Sequence, residues 1–310
     1  MENTRAKTTR NSLILLLTAT IWGMAFVSQS KGMDYMHPFT FNGVRSLIGA
    51  AGILVYILIS RKIAGDKAAK LDWKLNVKAG LLCGIFLTIA STLQQFGIKY
   101  TSVGKAGFIT TLYIIFVPMF GIFLKKKVAP VVWTAAGMAA VGMYLLCMTE
   151  SLRLGAGDIM VFLCAIAFAI QIMTVDHYAA SIDGAVVSCI QFTVCGVVCC
   201  IGALIWGQPT FGQIQEGLGA LLYAGVLSCG VGYTLQIVGQ KGLNPTVAAL
   251  IMSLESVIAT ISGWIAYKIG FLSTDQTLTP RQIAGCVIVF AAVILVQLPP
   301  EWFCFGKKNA

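Results

Sequence analysis

Leu93-Gln94-Gln95-Phe96-Gly97-Ile98-Lys99 closes one long apolar run, and Leu235-Gln236-Ile237-Val238-Gly239-Gln240-Lys241 closes another. The two stretches share Leu-Gln-x-x-Gly-x-Lys at a spacing of 142 residues, and the register carries 93–124 onto 235–266 without a gap. Eight of the 32 overlaid positions are identical: the four just quoted, and Ala106/Ala248, Ile109/Ile251, Leu112/Leu254 and Gly121/Gly263. A repeat of this length holds five apolar runs. Because five is odd, the second copy must enter a bilayer upside down relative to the first. Inverted repeats about an in-plane pseudo-twofold axis characterise solute carriers, with the solute site at the repeat interface near the midplane.

The runs themselves set the topology. About 20 apolar residues are needed to cross the hydrocarbon core as a helix, and ten stretches qualify: 11–29, 38–60, 77–98, 104–124, 130–148, 157–175, 185–206, 216–238, 245–268 and 281–298. Breakers separate them at His37-Pro38, Ala129-Pro130, Gly207-Gln208-Pro209, Asn244-Pro245 and Thr279-Pro280. A proline at a helix start costs little, because its missing N–H would have no partner there. With no water in hydrocarbon, each run must satisfy its own backbone, so the runs are helices and not open strands. The expected fold is an all-α membrane protein of ten transmembrane helices, built as two inverted five-helix repeats over 1–148 and 149–310. The loops leave no room for a soluble domain.

Composition agrees. Of 310 residues 57% are apolar and 11% charged, whereas soluble domains carry roughly 25% charge. The net charge of +10 does not point to nucleic acid, because helices sheathed in lipid offer no basic face. The basic residues fall instead in short clusters between runs. With the N-terminus inside, 15 lie on the cytoplasmic side (Arg5, Lys7, Arg10, Arg61, Lys62, Lys67, Lys70, Lys74, Lys78, Lys125, Lys126, Lys127, Lys241, Lys307, Lys308). Six lie outside (Lys31, Lys99, Lys105, Arg153, Lys268, Arg281). That bias places both termini in the cytoplasm, and it is carried mainly by the first half. The first run resembles a signal peptide, but it continues through Ile21–Val27 with no A-x-A site and reads as an uncleaved span. The ten cysteines show no CxxC pair and lie almost all in apolar stretches, where they serve as small apolar residues. No metal or cofactor is expected.

Polar residues inside spans are the candidates for function. Glu255 lies 10 residues after Pro245 and 13 before Lys268. A carboxylate at that depth costs about 2.5–3.5 kcal/mol on insertion scales, so it must face the bundle interior, a water cavity or a partner. Under the repeat its counterpart is Tyr113, which would face it across the pseudo-axis. Arg45 sits about 10 Å into its helix past Pro38, at 1.5 Å per residue. It could clasp a carboxylate bidentately, pair with Glu255, or snorkel outward. Gln29, Asn42, Gln94, Gln95, Gln171, Gln191, Tyr233 and Gln236 complete the polar set; interhelical hydrogen bonds account for most such residues, and Gln94 and Gln236 are raised by matching across the repeat. Trp22 reads equally as a cavity wall or an interfacial anchor. Gly80-x-x-x-Gly84 and the Gly225, Gly230, Gly232 cluster read as close helix packing.

Several motifs resemble those of one family. Ile21-Trp22-Gly23-Met24-Ala25-Phe26 resembles the opening motif of the EamA family of the drug/metabolite transporter superfamily, and Phe41-Asn42-Gly43-Val44-Arg45 resembles its second-span motif. Gly107-Phe108-Ile109 through Val117-Pro118 resembles its fourth span, and Leu250–Val257 its ninth. The resemblance covers roughly 12–298. It implies two inverted five-helix halves and alternating access to a central cavity. It also implies a small metabolite, amino acid or drug as solute, often moved outward. Two departures stand out. Lys125-Lys126-Lys127 and Lys268 stand where the family commonly ends its fourth and ninth helices with glutamate, and Ser256 follows Glu255 where proline is common.

The expectation is therefore a secondary transporter of the cell membrane, exporting a small solute by alternating access. Its partners are that solute and the lipid bilayer, with a homodimer left open. The rival classes are an intramembrane enzyme acting on lipid, or a channel or receptor. No GxSxG, Walker or HExxH motif is present, so the sequence offers no hydrolytic or ATP-driven chemistry.

Overall fold

The structure is a computed structural model, and it describes residues 2–65, 71–101, 103–124, 130–147, 155–273 and 275–297. Ten helical rods make up the described chain, and no strand occurs among the described residues. They are α1 (Glu2–Gly32), α2 (Pro38–Ala64), α3 (Trp73–Ile98), α4 (Val103–Phe123), α5 (Pro130–Cys147), α6 (Ala156–Tyr178), α7 (Gly184–Gly207), α8 (Leu218–Gln240), α9 (Pro245–Lys268) and α10 (Pro280–Gln297). A short helix, Phe211–Glu216, precedes α8. Eight of the rods are long and apolar enough to cross a membrane, while α5 and α10 contribute shorter apolar stretches, Pro130–Gly142 and Pro280–Leu295. Four helices start on the prolines the sequence marks: Pro38, Pro130, Pro245 and Pro280.

The starts are capped by side chains that stand in for missing backbone partners. Asp72 accepts from Leu75 N, Asp183 from Ala185 N and Val186 N, and Asn244 from Thr246 N. His37 accepts from Phe39 N through Nδ1. Partial burial, helped by the Lys99 charge, holds the His37 imidazole below its ordinary value, which suits it to accept.

The packing follows the repeat. Helices α2 and α7, α4 and α9, and α5 and α10 pack on each other as counterparts. The remaining major contacts come in answering pairs: α3 on α6 with α8 on α1, α3 on α7 with α8 on α2, and α1 on α9 with α6 on α4. The rods also alternate in direction. At one end Asn11 Nδ2 donates to Lys241 O, Lys241 Nζ to Ile182 O, and Asp183 N to Asn76 Oδ1. At the other end Lys31 Nζ lies over the Phe271 ring, Phe39 stacks on Trp206, and Lys105 pairs with Asp158 at 2.6 Å. Among the basic residues that set the expected orientation, Lys67, Lys70, Lys125, Lys126, Lys127, Arg153, Lys307 and Lys308 lie outside the described residues.

The distribution of polarity is that of a protein in lipid. Leu54, Leu58, Ile63, Ile122, Phe123 and Val287 are exposed, whereas Arg45, Gln94, Gln95, Gln171, Gln236 and Glu255 are buried. Close helix approach depends on glycine. A Cβ on Gly80 would lie 2.7 Å from Ile190 Cβ, and one on Gly84 would lie 2.9 Å from Val194 Cβ. The α3–α7 seam thus uses Gly80-x-x-x-Gly84 for packing, as small residues do in membranes.

Two helices break at mid-length. In α4, Val103–Thr111 and Tyr113–Phe123 meet at Leu112. In α9, Pro245–Met252 and Leu254–Lys268 meet at Ser253. Pro118 supplies no N–H to the turn before it. On the α9 side, Ser253 Oγ and Ser256 Oγ bond back to Leu250 O and Ser253 O, a pattern that bends helices. Helix α8 instead widens into a π-helical stretch over Tyr223–Gly232.

Crowding a Gly seam costs about 1–3 kcal/mol in a packed interior. Gly80→Val is expected to lose that much stability in reversible unfolding from bicelles. Gly52→Ala, whose added Cβ meets nothing within 4 Å, is expected to change it by less than about 0.5 kcal/mol. Equal losses in the two variants would contradict the seam assignment.

Candidate functional site

The two breaks put Tyr113 and Glu255 at the start of the second segments of α4 and α9. At each break the backbone stays right-handed helical, and Ile115 N and Ser256 N donate to Leu112 O and Ser253 O, so the helix tightens for one residue without unwinding. Tyr113 Oη donates to Glu255 Oε1 at 3.0 Å, joining two residues 142 positions apart. The carboxyl is 4% exposed and the phenol 2%, so the bond spans the pseudo-axis inside the bundle.

This pair lines a central cavity. The repeat register organises its walls. Besides Tyr113/Glu255, the same 142-residue shift relates Gln94 to Gln236, Gln29 to Gln171 and Phe26 to Phe168, and all eight residues line the cavity. Gln236 and Gln171 exchange amide hydrogen bonds (3.2 and 3.5 Å), while Gln94 Nε2 donates to Thr110 Oγ1 at 3.1 Å. Helices α1, α3, α4, α6, α8 and α9 thus each contribute to one polar chamber.

Arg45 enters the same chamber from α2. It is 6% exposed, its guanidinium carbon lies 5.3 Å from the Phe41 ring centroid, and its Nε has no hydrogen-bond partner. Among the described residues no ion pair joins Arg45 to Glu255 or to any other carboxylate. Among the described residues Arg45 is therefore neither snorkelled outward nor bridged to Glu255. Ser46 and Ser91 stand on the same wall. Arg45 is a buried cation facing a cavity without a counter-ion, a costly arrangement in a membrane.

Trp22 is a cavity wall and not an interfacial anchor. Its ring lies 4.5 Å from that of Tyr233, which in turn meets Phe192 edge-on at 5.0 Å. Its indole N–H is buried without a partner. Gly232 makes room for it, since a Cβ there would lie 2.7 Å from Trp22 Nε1. With Phe26 and Phe168 these rings add aromatic surface to the chamber's polar lining.

Two sequence candidates fall outside the chamber. Asn42 is fully buried and donates to Ser91 O at 2.9 Å, tying α2 to α3. Gln191 is fully buried behind the wall, its Cα 3.2 Å from where a Cβ on Gly84 would sit. Of the other polar span residues the sequence marks, Gln29, Gln171 and Tyr233 line the chamber, and the structure adds Ser46, Ser91, Thr110 and Ser228. Extending the repeat register back to the first span matches Gln29 with Gln171 as well. The serines and Thr110 carry no pattern that marks them. Asp158 and Asp183 stand at opposite ends of the bundle and form no joint site.

Comparisons with known proteins agree with this architecture. The model of the EamA-like transporter family matches residues 10–148 and 155–298. An uncharacterised transporter of Archaeoglobus fulgidus is 28% identical over 290 residues, covering 92% of this chain and 84% of its own. The uncharacterised transporter YwfM of Bacillus subtilis is 24% identical over 295 residues, with 94% of each chain covered. A solved structure titled only as a crystal structure of a protein superposes with a TM-score of 0.70 at 16% identity, covering 93% of this chain and 96% of the other, which speaks to fold alone. A ten-rod bundle, a polar chamber at two broken helices and a two-part match over nearly the whole chain lead to one conclusion: this chain is a membrane protein of the EamA-like transporter family.

Proposed function

We propose that the chain is a secondary transporter of the cell membrane for a small amphoteric metabolite such as an amino acid. It works by alternating access between its two five-helix halves, 1–148 and 149–310. The observation that carries this reading is the unpaired Arg45 in a chamber that also holds Glu255. Each fixed charge in low dielectric needs a counter-charge, and here neither supplies it to the other. A solute carboxylate meets the planar guanidinium in two parallel hydrogen bonds, and a solute ammonium meets Glu255. Trp22, Phe26, Phe168, Phe192 and Tyr233 would enclose an apolar body. The bound solute thus neutralises a cost that the empty chamber carries.

Tyr113 orients Glu255 by donating to one of its oxygens. When no solute ammonium is present, a proton can take its place on Glu255, which makes this residue the natural coupling group. Driving force then comes from a solute or ion gradient or from exchange. Export is the direction the family resemblance favours. The positive-inside bias supports cytoplasmic termini.

Reconstituted protein tests the reading. Proteoliposomes loaded with unlabelled amino acids should take up at least one labelled amino acid by saturable counterflow. Arg45→Lys keeps the charge and loses the fork, so it should cut that flux at least about tenfold, or 1.4 kcal/mol. Tyr113→Phe should stay folded, losing no more than about 2 kcal/mol, with a changed pH profile of transport. Normal flux through Arg45→Lys would remove the carboxylate site. In intact cells, a single cysteine in place of Lys31 should react with an impermeant thiol reagent, and one in place of Lys74 should not. The reverse labelling would invert the topology.

A further inference from the structure

One seam of the bundle is not filled by its own side chains among the described residues. Helices α2 and α8 touch closely where a Cβ on Gly225 would lie 2.9 Å from Arg45 O, and one on Gly49 would lie 2.7 Å from Cys229 Cβ. Beyond that contact they part. A Cβ on Gly52 meets nothing within 4 Å, and one on Gly230 meets nothing closer than 3.5 Å. The result is an apolar groove lined by Gly52, Ile53, Tyr56, Val231, Leu235 and Val238. Its counterpart under the repeat, the α3–α7 seam, is closed by Ile190 and Val194 on Gly80 and Gly84, and by Thr92 against Cys199.

The groove runs into a second, polar pocket with which it shares Tyr56, Thr234 and Val238. Arg61 and Lys241 line that pocket. Neither is in an ion pair among the described residues, and Lys241 Nζ donates only to the neutral carbonyl of Ile182 at 3.0 Å. The two carboxylates there, Asp72 and Asp183, are engaged as helix caps on Leu75 N and on Ala185 N and Val186 N. From Gly52 to Arg61 is about 14 Å at 1.5 Å per residue, close to the roughly 15 Å that one leaflet contributes to the hydrocarbon core. An apolar slot one leaflet deep, ending at two cations that form no ion pair among the described residues, has the dimensions and charge of a lipid.

We propose that the α2–α8 groove is a binding site for one anionic glycerophospholipid, with an acyl chain along Gly52, Ile53 and Leu235 and the phosphate at Arg61 and Lys241. The inference stands apart from the transport reading, because it rests on the outer face of α8. That face lies directly behind the chamber. Helix α8 presents Cys229, Tyr233 and Gln236 to the cavity and Gly230, Thr234 and Val238 to the groove. A bound chain would therefore brace the wall that carries Tyr233 and Gln236, and lipid composition would set the transport rate.

Native mass spectrometry of the full chain, released from nanodiscs of mixed phosphatidylglycerol and phosphatidylcholine, tests this. The wild type should retain one phosphatidylglycerol in preference to phosphatidylcholine. Cations near an anionic surface each contribute about a factor of five, so the double variant Arg61→Gln, Lys241→Gln should weaken retention roughly thirtyfold. At Gly52 an added Cβ meets nothing within 4 Å, so Gly52→Leu directs its side chain into the slot and should abolish retention, with an unchanged melting temperature showing that the fold is kept. Equal retention of the two lipids would overturn the proposal, as would undiminished phosphatidylglycerol on Gly52→Leu. Either result leaves the counterflow of the wild type, and so the transport reading, untouched.

Discussion

One hydrogen bond, from Tyr113 Oη to Glu255 Oε1 at 3.0 Å, sits where the two halves meet. A carboxyl in the middle of hydrocarbon has no water to hold it, so it must be shielded from lipid and given a partner. Much of the architecture serves that need. Both helices that carry the pair break just before it, at Leu112 and Ser253. Six helices turn polar faces toward it and apolar faces outward. The inverted repeat makes this economical, since one chain segment used twice in opposite senses brings like positions face to face at the axis.

The same geometry explains why polar and aromatic residues recur together in the chamber lining, as Phe26 with Gln29 and Phe168 with Gln171. Glutamines at equivalent repeat positions line both halves, yet Arg45 has Val187 as its repeat counterpart and Glu255 has Tyr113. The charges are where the repeat symmetry fails. A symmetric chamber would hold a neutral solute equally from both halves, whereas fixed charges of opposite sign on different helices orient one. Departure from symmetry at otherwise matched positions is a mark of function, because local consistency is given up there.

The fold was legible because its signals are periodic and strong. Run length gave the helices, Pro38, Pro130, Pro245 and Pro280 gave four starts, and the Leu-Gln-x-x-Gly-x-Lys echo gave the inverted pairing. The breaks in α4 and α9 were not legible, since Pro118 lies six residues past Leu112 and nothing in the run marks Ser253 as a turn. The site was read in part. Glu255, Arg45 and the matched glutamines stand out by polarity against an apolar background. Asn42 and Gln191 stand out equally, yet they do not line the chamber, because polarity alone does not reveal which side of a helix faces the axis. The tilted contact of Trp22 with Tyr233, across helices far apart in sequence, could come only from packing.

The central claim is that solute passes through the chamber between the halves. Accessibility of single cysteines in a cysteine-free background tests it most directly. Gln94 and Gln236 line the chamber, whereas Gln191 is buried behind its wall. A small water-soluble thiol reagent should modify Gln94→Cys and Gln236→Cys in the reconstituted protein, and a transported solute should slow both reactions. Gln191→Cys should stay unmodified. Modification of Gln191→Cys as fast as Gln94→Cys, with no protection at either chamber position, would contradict a central path.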